Sequence, residues 1–393
     1  MKIRYGFILF AAATLLAGCS GFWTLPASTS TTTITTTSTT LSGGAFYVLD
    51  QKTDQIVVYS ISSGTLSKGV ALTLPSPAPL AIAVAPNAPF LYVSTAGGIY
   101  LYTIASDGAL TLGNGGLTIS GDLATTMQVD ATDSWLVDAV SGSTQLAAIA
   151  VNPSTGVLAV AGESEQLLSG GLPATTPTQL AISPTDSSTC ADCYVVVAMG
   201  AGGTELIHFN PGNSNPFGSS GHINLANTAG GDSAVAVDPT NRLLYVGETD
   251  AFPSATQTGG LRVFTIASGG VTELTAAGSP YAISGTGPSS ILPSSDGNYV
   301  YVANRSVGGS SSGNIASFSV SPTSLTSVST ATAGPTGQIV LAEDSLGHFV
   351  LAVDFAGGPD LVAYTISSGT LTAAFTSATG TDPVEAIAVA ALP

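Results

Sequence analysis

Four oxygen-bearing side chains end apolar segments of similar sequence, and an arginine follows one of them. The four are Asp50, Glu248, Asn304 and Asp354, and Arg305 comes directly after Asn304. Carboxylates can activate water or bind a ligand, and a guanidinium can stabilise a developing negative charge. Asp and Asn are also common where strands end, because their side chains favour turns. The pattern is therefore compatible with a polar site and with a purely structural role.

Two of the three cysteines are separated by only two residues, Cys190 and Cys193. An even pair in an exported chain predicts a disulfide. A zinc site would need two further ligands, and no second pair exists in the sequence. Redox catalysis would need a thioredoxin-like βαβ setting, which the sequence lacks. A local structural disulfide is therefore the favoured interpretation.

The sequence carries no recognisable cofactor or metal motif. Phosphate loops, nucleophile elbows and HExxH helices are absent, so no cofactor and no metal are predicted. The run from Gly308 to Gly313 has no βαβ unit around it and is interpreted as a loop. His208, His222 and His348 fall in a third strand, an outer segment and a turn, where ordinary structural roles are expected.

The N-terminal segment has the layout of an export signal. Lys2 and Arg4 precede an apolar run from Tyr5 to Leu16, which is too short to span a bilayer as a mature helix. The stretch from Leu16 to Cys19 resembles the bacterial lipoprotein lipobox, which implies cleavage before Cys19 and lipid on its sulfur. An ordinary signal peptide with an incidental Cys19 is the alternative. Ser20, where an inner-membrane retention signal would have Asp, favours the outer membrane.

The predicted domains are a signal peptide at 1–19, a linker at 20–42 and one folded domain at 43–393. Residues 27–42 are almost entirely Ser and Thr, a composition typical of a flexible tether. The chain has 7 basic and 24 acidic residues, a formal net charge of −17, so nucleic acid is an improbable partner. The expected partners are the membrane, through lipid on Cys19, and a small molecule or an envelope protein; a monomer is expected.

One sequence repeat occurs seven times along the folded region. It consists of a short apolar strand, a turn, a second strand often containing Tyr-Val, a third strand, and Gly-x-Leu-Thr. The clearest copy has AIAVAP from Ala81, FLYV from Phe90, IYLYTI from Ile99 and GALT from Gly108. The second strands align, at intervals of 45 to 58 residues, on Tyr47, Tyr92, Val137, Val195, Tyr245, Tyr301 and Leu351.

The first copy has no first strand, and an unpaired strand beginning near Val384 ends the chain. A C-terminal strand that completes the blade begun by the N-terminus closes a ring and removes its open edges. Four-stranded units of this length suit an all-β, seven-bladed β-propeller. The closing strand argues against a β-sandwich. Only two tryptophans occur in the sequence, which excludes repeats that depend on tryptophan in each copy.

In such a ring, the first strands begin and the second strands end at the same mouth of the channel. The position three residues past each aligned second-strand residue is polar in four consecutive blades. These positions predict an acidic crescent of Glu248, Asn304, Asp354 and Asp50, in which Asp50, Asn304 and Asp354 are candidate ligand-binding residues.

The sequence repeat resembles that of the lactonase-type seven-bladed propellers, the 6-phosphogluconolactonase-like family, over nearly all of residues 44–393. Tyr-Val-Gly-Glu248 resembles the family's strand-ending Glu, and Ala-Asn304-Arg305 its Asn-Arg after Tyr-Val. The resemblance implies lactone hydrolysis with Glu248 as base and Arg305 as oxyanion stabiliser. The sequence departs from the family where active members place a His before a first strand, since none of the corresponding segments contains one: 177–178, 230–233, 287–289 and 335–336.

Two function classes follow from these observations. The missing His and the scarcity of cations favour a non-enzymatic, lipid-anchored propeller that binds a ligand or envelope partner through one mouth. Glu248 and Arg305 keep a lactone hydrolase as the alternative.

Overall fold

The computed structural model describes residues 44–391, apart from the short segments 63–64, 141–142, 168–176, 185–189, 191, 219–220, 227–229, 253–257, 268–269, 308–311, 337–338, 355–360 and 378–385. The signal peptide, the linker and Cys19 therefore lie outside the described residues. Residues 40–393 group into one compact unit. Within the described part, no helix is long and apolar enough to cross a membrane.

The described residues form seven antiparallel sheets arranged as the blades of a propeller. Alternating side chains and turn-forming residues between short apolar runs explain why the chain adopts strands. The strands of the first four blades are β1 Ala45–Asp50, β2 Gln55–Ser62 and β3 Thr65–Thr73; β4 Ala81–Val84, β5 Phe90–Thr95, β6 Gly98–Ile104 and β7 Leu110–Ser120; β8 Ala124–Val129, β9 Trp135–Val140, β10 Gln145–Ala150 and β11 Glu163–Gln166; and β12 Gln179–Ile182, β13 Tyr194–Ala198, β14 Thr204–His208 and β15 His222–Leu225.

The other three blades continue the same order, and the last strand of the chain returns to the first blade. They contain β16 Asp232–Val237, β17 Leu243–Phe252, β18 Thr258–Ala267, β19 Gly270–Glu273, the 3₁₀ turn Thr275–Ala277 and β20 Tyr281–Ala282; β21 Thr286–Pro293, β22 Tyr299–Ser306, β23 Ser312–Ser321 and β24 Ser324–Thr336; and β25 Ile339–Glu343, β26 Phe349–Asp354, β27 Leu361–Ser367 and β28 Thr370–Ser377, with β29 at Ala386–Ala391.

The predicted ring closure is confirmed. Strand β29 pairs antiparallel with β1, with Phe46 opposite Ala391 and Val48 opposite Val389, so the first blade has the order β29-β1-β2-β3. Each of the seven aligned second-strand residues lies in the second strand of its blade. Strand β29 supplies the missing first strand of this blade, so both ends of the folded chain are held in one sheet and the ring is closed.

The core lies between the blades rather than within one layer. Seven clusters of buried apolar side chains fill the seven spaces between neighbouring blades. The tyrosines of the second strands span two of these spaces. The Tyr47 hydroxyl donates to the Gly108 carbonyl at 3.0 Å, and the Tyr92 hydroxyl donates to the Gly156 carbonyl at 2.7 Å. Tyr47 and Tyr92 thus each link their own blade to the next one.

Buried aspartates hold the turns between first and second strands in three blades. In the seventh blade, one carboxylate oxygen of Asp344 accepts backbone N–H bonds from His348 at 2.8 Å and Phe349 at 2.6 Å. Asp130 and Asp238 accept the equivalent pairs of backbone bonds in the third and fifth blades. Carboxylates satisfy turn N–H groups well, so Asp130, Asp238 and Asp344 have a structural role in their turns.

Candidate functional site

The mouth of the channel where the first strands begin contains a cavity of about 320 Å³. Residues from the first strands of six blades form its wall, and Arg305 adds a side chain from the end of β22. The lining residues are Leu80, Ala81, Ile82, Thr125, Thr126, Met127, Thr178, Gln179, Ser233, Ser289, Arg305 and Val340. The wall is thus a mixture of hydroxyl, amide and small apolar groups with one guanidinium.

Several of the polar lining groups join neighbouring blades. Gln179 Oε1 accepts the Val235 backbone N–H at 3.0 Å, and Thr126 Oγ1 accepts that of Leu180 at 3.3 Å. The Ser289 hydroxyl donates to the Ile339 carbonyl at 2.7 Å. These bonds satisfy backbone groups on the free inner edges of the first strands, which have no strand partner on the channel side. They make the wall of the cavity rigid.

Arg305 is solvent-exposed and lies on the cavity wall. Among the described residues no carboxylate lies within ion-pair distance of its guanidinium. Partial desolvation by the surrounding protein lowers the pKa of Arg305. An arginine nevertheless stays protonated in proteins, so the cavity presents one positive charge.

Glu248 does not lie on the cavity wall. Its side chain is fully buried, and its Oε1 lies 3.4 Å from Nη1 of Arg262 on the third strand of the same blade. Arg262 also holds Glu273 through two bonds of 3.2 and 2.9 Å. The structure therefore pairs Glu248 with Arg262 and places Arg305 separately in the cavity. The catalytic roles of Glu248 and Arg305 stay a prediction.

The other three members of the crescent are also buried rather than exposed at the mouth. Asn304 Nδ2 donates to the Ile283 carbonyl at 3.0 Å and to Asn314 Oδ1 at 2.7 Å. Asp50 Oδ1 accepts the backbone N–H groups of Lys52 and Thr53 at 2.9 and 3.1 Å, which is a turn. Asp354 is fully buried opposite Ile339 at the start of the first strand.

The packing of neighbouring blades buries the crescent residues. For Asn304, the segment that follows β20 in the preceding blade lies against the side chain, since its Ile283 carbonyl accepts a bond from Asn304 Nδ2. None of the four crescent residues lines the cavity at the mouth. A ligand-binding role for Asp50, Asn304 and Asp354 stays a prediction.

Asp232 is a polar residue at the mouth that sequence reasoning missed. It begins β16 directly before Ser233 of the cavity wall, and the positive φ of Gly231 (113°) turns the chain into this position. Burial raises the pKa of Asp232 to about 7; a hydrogen bond from Thr204 opposes this shift, and the nearby carboxylate of Glu248 adds to it. The sequence signal is the Gly230-Gly231-Asp232-Ser233 segment, in which a carboxyl residue begins a first strand.

None of the histidines lines the cavity. His208 is in the third strand β14, His222 in the outer strand β15 and His348 in the turn between β25 and β26, as predicted. His222 bridges two blades, since its Nδ1 lies 2.5 Å from Glu205 and its Nε2 lies 3.0 Å from Glu165. These positions fit structural roles.

The two cysteines of the Cys-x-x-Cys segment lie together. The sulfur atoms of Cys190 and Cys193 are 1.86 Å apart, and the Cα atoms are 5.5 Å apart. Asn241 Nδ2 donates to the Asp192 carbonyl at 3.1 Å, which ties this turn to the next blade. Among the residues that the structure describes, no group of three or more His, Cys, Asp and Glu side chains is arranged to hold a metal ion.

Comparisons with known proteins identify relatives in fold. No family model matches the chain, and no curated protein matches it. Among solved structures, a candidate 6-phosphogluconolactonase from Bacteroides uniformis has a TM-score of 0.67 at 17% identity, covering 89% of this chain and 99% of that one. A second, from Bacteroides fragilis, has a TM-score of 0.62 at 17% identity, covering 90% and 98%.

A periplasmic gluconolactonase from Pseudomonas aeruginosa is similar to the same extent, with a TM-score of 0.61 at 17% identity and coverage of 86% and 97%. All three similarities extend over at least 97% of the matched chain. At this level of identity, the likeness extends to the architecture and not to the chemistry. The chain therefore has the seven-bladed β-propeller fold shared by 6-phosphogluconolactonase-like proteins.

Proposed function

We propose that the chain is a ligand-binding propeller of the cell envelope that holds a small polar molecule with one negative charge at the Arg305 mouth. The observation that carries this proposal is the charge of the cavity. Arg305 is exposed on the wall of an enclosed space without a carboxylate partner in the described part of the chain, whereas Arg262 is committed to Glu248 and Glu273. Arg305 thus places a positive charge on the cavity wall that no carboxylate of the described residues neutralises.

The lining supports a hydroxyl-bearing ligand. The hydroxyls of Thr125, Thr178 and Ser233 and the amide of Gln179 surround the cavity, and about 320 Å³ is within the range of small-molecule sites. A guanidinium binds a carboxylate through two parallel hydrogen bonds. A sugar acid combines both kinds of group.

The overall charge limits the ligand to few negative charges. A net charge of −17 produces a field that repels polyanions on approach, so only a local cation attracts an anion. A monoanion is repelled less than a phosphorylated sugar. The proposal therefore favours a simple carboxylate over a phosphate ester.

Calorimetric titration of the purified chain with gluconate, and with glucose as the uncharged comparison, tests the proposal. We expect gluconate to bind and Arg305→Ala to weaken its binding at least about tenfold, since a charge-assisted pair contributes roughly 1.5–3 kcal/mol. Arg242→Ala is the matched control, because Arg242 is an exposed arginine remote from the cavity lining. Failure of gluconate to bind, or equal weakening by both variants, would overturn the proposal.

Lactone hydrolysis is the second candidate. It is favoured by Arg305 on the cavity wall and by Asp232, a carboxyl with a pKa of about 7 next to Ser233. The burial of Glu248 and its pairing with Arg262 count against Glu248 as the base. A panel of sugar lactones at high protein concentration tests this candidate. No turnover would reject hydrolysis, and an unchanged rate in Glu248→Gln would reject Glu248 as the base.

The envelope location rests on the N-terminal sequence. Lipid on Cys19 would anchor the propeller through the Ser/Thr-rich linker, with the outer membrane favoured by Ser20. We expect the chain to incorporate labelled palmitate and to sediment with membranes, and Cys19→Ala to abolish both. Membrane association and labelling of the Cys19→Ala variant would refute lipid anchoring.

A further inference from the structure

Two carboxyl groups with no cationic neighbour lie at the junction of the second and third blades. Asp138, in β9, is fully buried, and among the described residues only the Asp122 carboxyl lies within hydrogen-bond distance of its carboxylate oxygens. Asp122 precedes β8 and is partly buried, and its Oδ1 likewise receives no hydrogen bond from a donor group of the described residues. The two groups are close enough for the charge on Asp122 to act on Asp138.

A third buried oxygen faces the same space from the opposite side. Successive side chains of a strand alternate between faces, and Leu136 of β9 packs in the apolar cluster between these two blades, so Asp138 faces that space. Tyr92 of β5 packs in the same cluster, so Ser94 faces it from the second blade. The Ser94 hydroxyl is fully buried and also has no partner in the described structure.

The sequence cannot supply a positive side chain to this junction from its own blades. No lysine or arginine occurs between Lys68 and Arg242, a stretch that includes the whole of the second and third blades. The ion pairs of the described residues all lie in or between the third, fourth and fifth blades and do not include Asp122 or Asp138. Buried carboxylates without a partner carry a large desolvation cost, and such groups call for an ion, a water molecule or a proton.

We propose that a calcium ion binds between the second and third blades, held by Asp122, Asp138 and Ser94. Two carboxylates balance the charge of one divalent cation, and all three groups supply the oxygen ligands that Ca²⁺ prefers. Ca²⁺ accepts irregular geometry and completes its shell with water, whereas Mg²⁺ demands near-octahedral coordination. The ion would join the two blades at the mouth, where Asp122 leads into β8. This site is independent of the Arg305 cavity, whose lining does not include these three residues.

Thermal unfolding and calorimetric titration of the purified full chain test the proposal. After treatment with EDTA, we expect 1 mM Ca²⁺ to raise the melting temperature by several degrees and Mg²⁺ to raise it much less, since a ligand that binds only the folded state stabilises it. Titration with Ca²⁺ should show about one ion per chain. Absence of a melting shift or of binding heat in the wild type would overturn the proposal and leave a shared proton as the explanation.

Two variants assign the ion to this junction. Asp138→Asn should abolish the Ca²⁺ response, and Ser94→Ala, which keeps both carboxylates, should weaken Ca²⁺ binding roughly fivefold. Asp344→Asn is the matched control, because Asp344 is also a fully buried carboxyl but both of its oxygens accept backbone hydrogen bonds. A full Ca²⁺ response in Asp138→Asn would refute the site. If Asp138→Asn does not fold, an unchanged affinity in Ser94→Ala refutes it.

Discussion

The pH dependence of stability in the absence of metal ions provides a sharp test of the Asp138 environment. Burial, assisted by the neighbouring Asp122 carboxylate, raises the pKa of Asp138 from 3.8 to about 8. Between about pH 4 and pH 8, the folded chain therefore keeps a proton on Asp138 that the unfolded chain has released. The free energy of unfolding should fall as the pH rises through this window, by about 1.4 kcal/mol per pH unit.

Asparagine has nearly the same shape as the protonated aspartic acid and does not titrate. The wild-type free energy of unfolding, measured relative to that of Asp138→Asn, should therefore decrease by roughly 3 kcal/mol from pH 5 to pH 7. Contributions from titrating groups that do not interact with Asp138 are common to both proteins and cancel; Asp122 is the described carboxyl that does interact with it. Urea unfolding at pH 5, 6 and 7, with EDTA present throughout, measures the difference.

Asp296→Asn is the control for this experiment. Hydrogen bonds from Ser294 and Asn298 outweigh the effect of burial and hold the pKa of Asp296 below its usual value. A carboxyl with a lowered pKa adds stability that is lost only in acid, below its unfolded pKa, so this variant should run parallel to the wild type from pH 5 to pH 7. Parallel profiles for wild type and Asp138→Asn would refute the argument that burial keeps this carboxyl protonated.

Three further predictions concern the ring itself. Asp344→Ala should lower the free energy of unfolding by about 3 kcal/mol in urea, because buried turn N–H groups lose their acceptor; a change under about 0.5 kcal/mol would contradict this role. Tyr92→Phe should lower the free energy of unfolding by about 1 kcal/mol, because the hydrogen bond to Gly156 is lost. Tyr245→Phe should lower it little, because the Tyr245 hydroxyl has no partner in the described structure. Equal decreases in the two variants would disprove the blade-linking role of Tyr92. A chain ending before Ala386 lacks β29 and should melt at a markedly lower temperature by circular dichroism; an unchanged melting temperature would show that closure contributes nothing.

The architecture was predictable because local sequence patterns that repeat along the chain specify it. Alternating apolar residues define each strand, and the recurrence of the Tyr-Val strand at intervals of 45 to 58 residues counts the blades. The position of β29 followed from one missing strand at the start and one extra strand at the end. These inferences needed only the order of elements along the chain.

The functional surroundings were less predictable, because they depend on which residues face each other across two blades. Glu248 lies on a second strand as expected, but β17 continues past it to Phe252, and its pairing with Arg262 depends on the register between β17 and β18. Asn304 also lies before the end of its strand, β22, and the segment that follows β20 in the preceding blade supplies the Ile283 carbonyl to which it donates. Burial of such residues follows from packing and not from strand periodicity.

The sequence by itself therefore determined the all-β character, the number of blades and the closure of the ring, since local periodicity and repetition specify them. Only the tertiary structure decided which polar groups share a space: Arg305 lies on the cavity wall, Glu248 lies beside Arg262, and Asp138 lies beside Asp122. The physical reason is that charge and solvation depend on distances through space, and residues of different blades that meet in a propeller are about fifty positions apart in the chain.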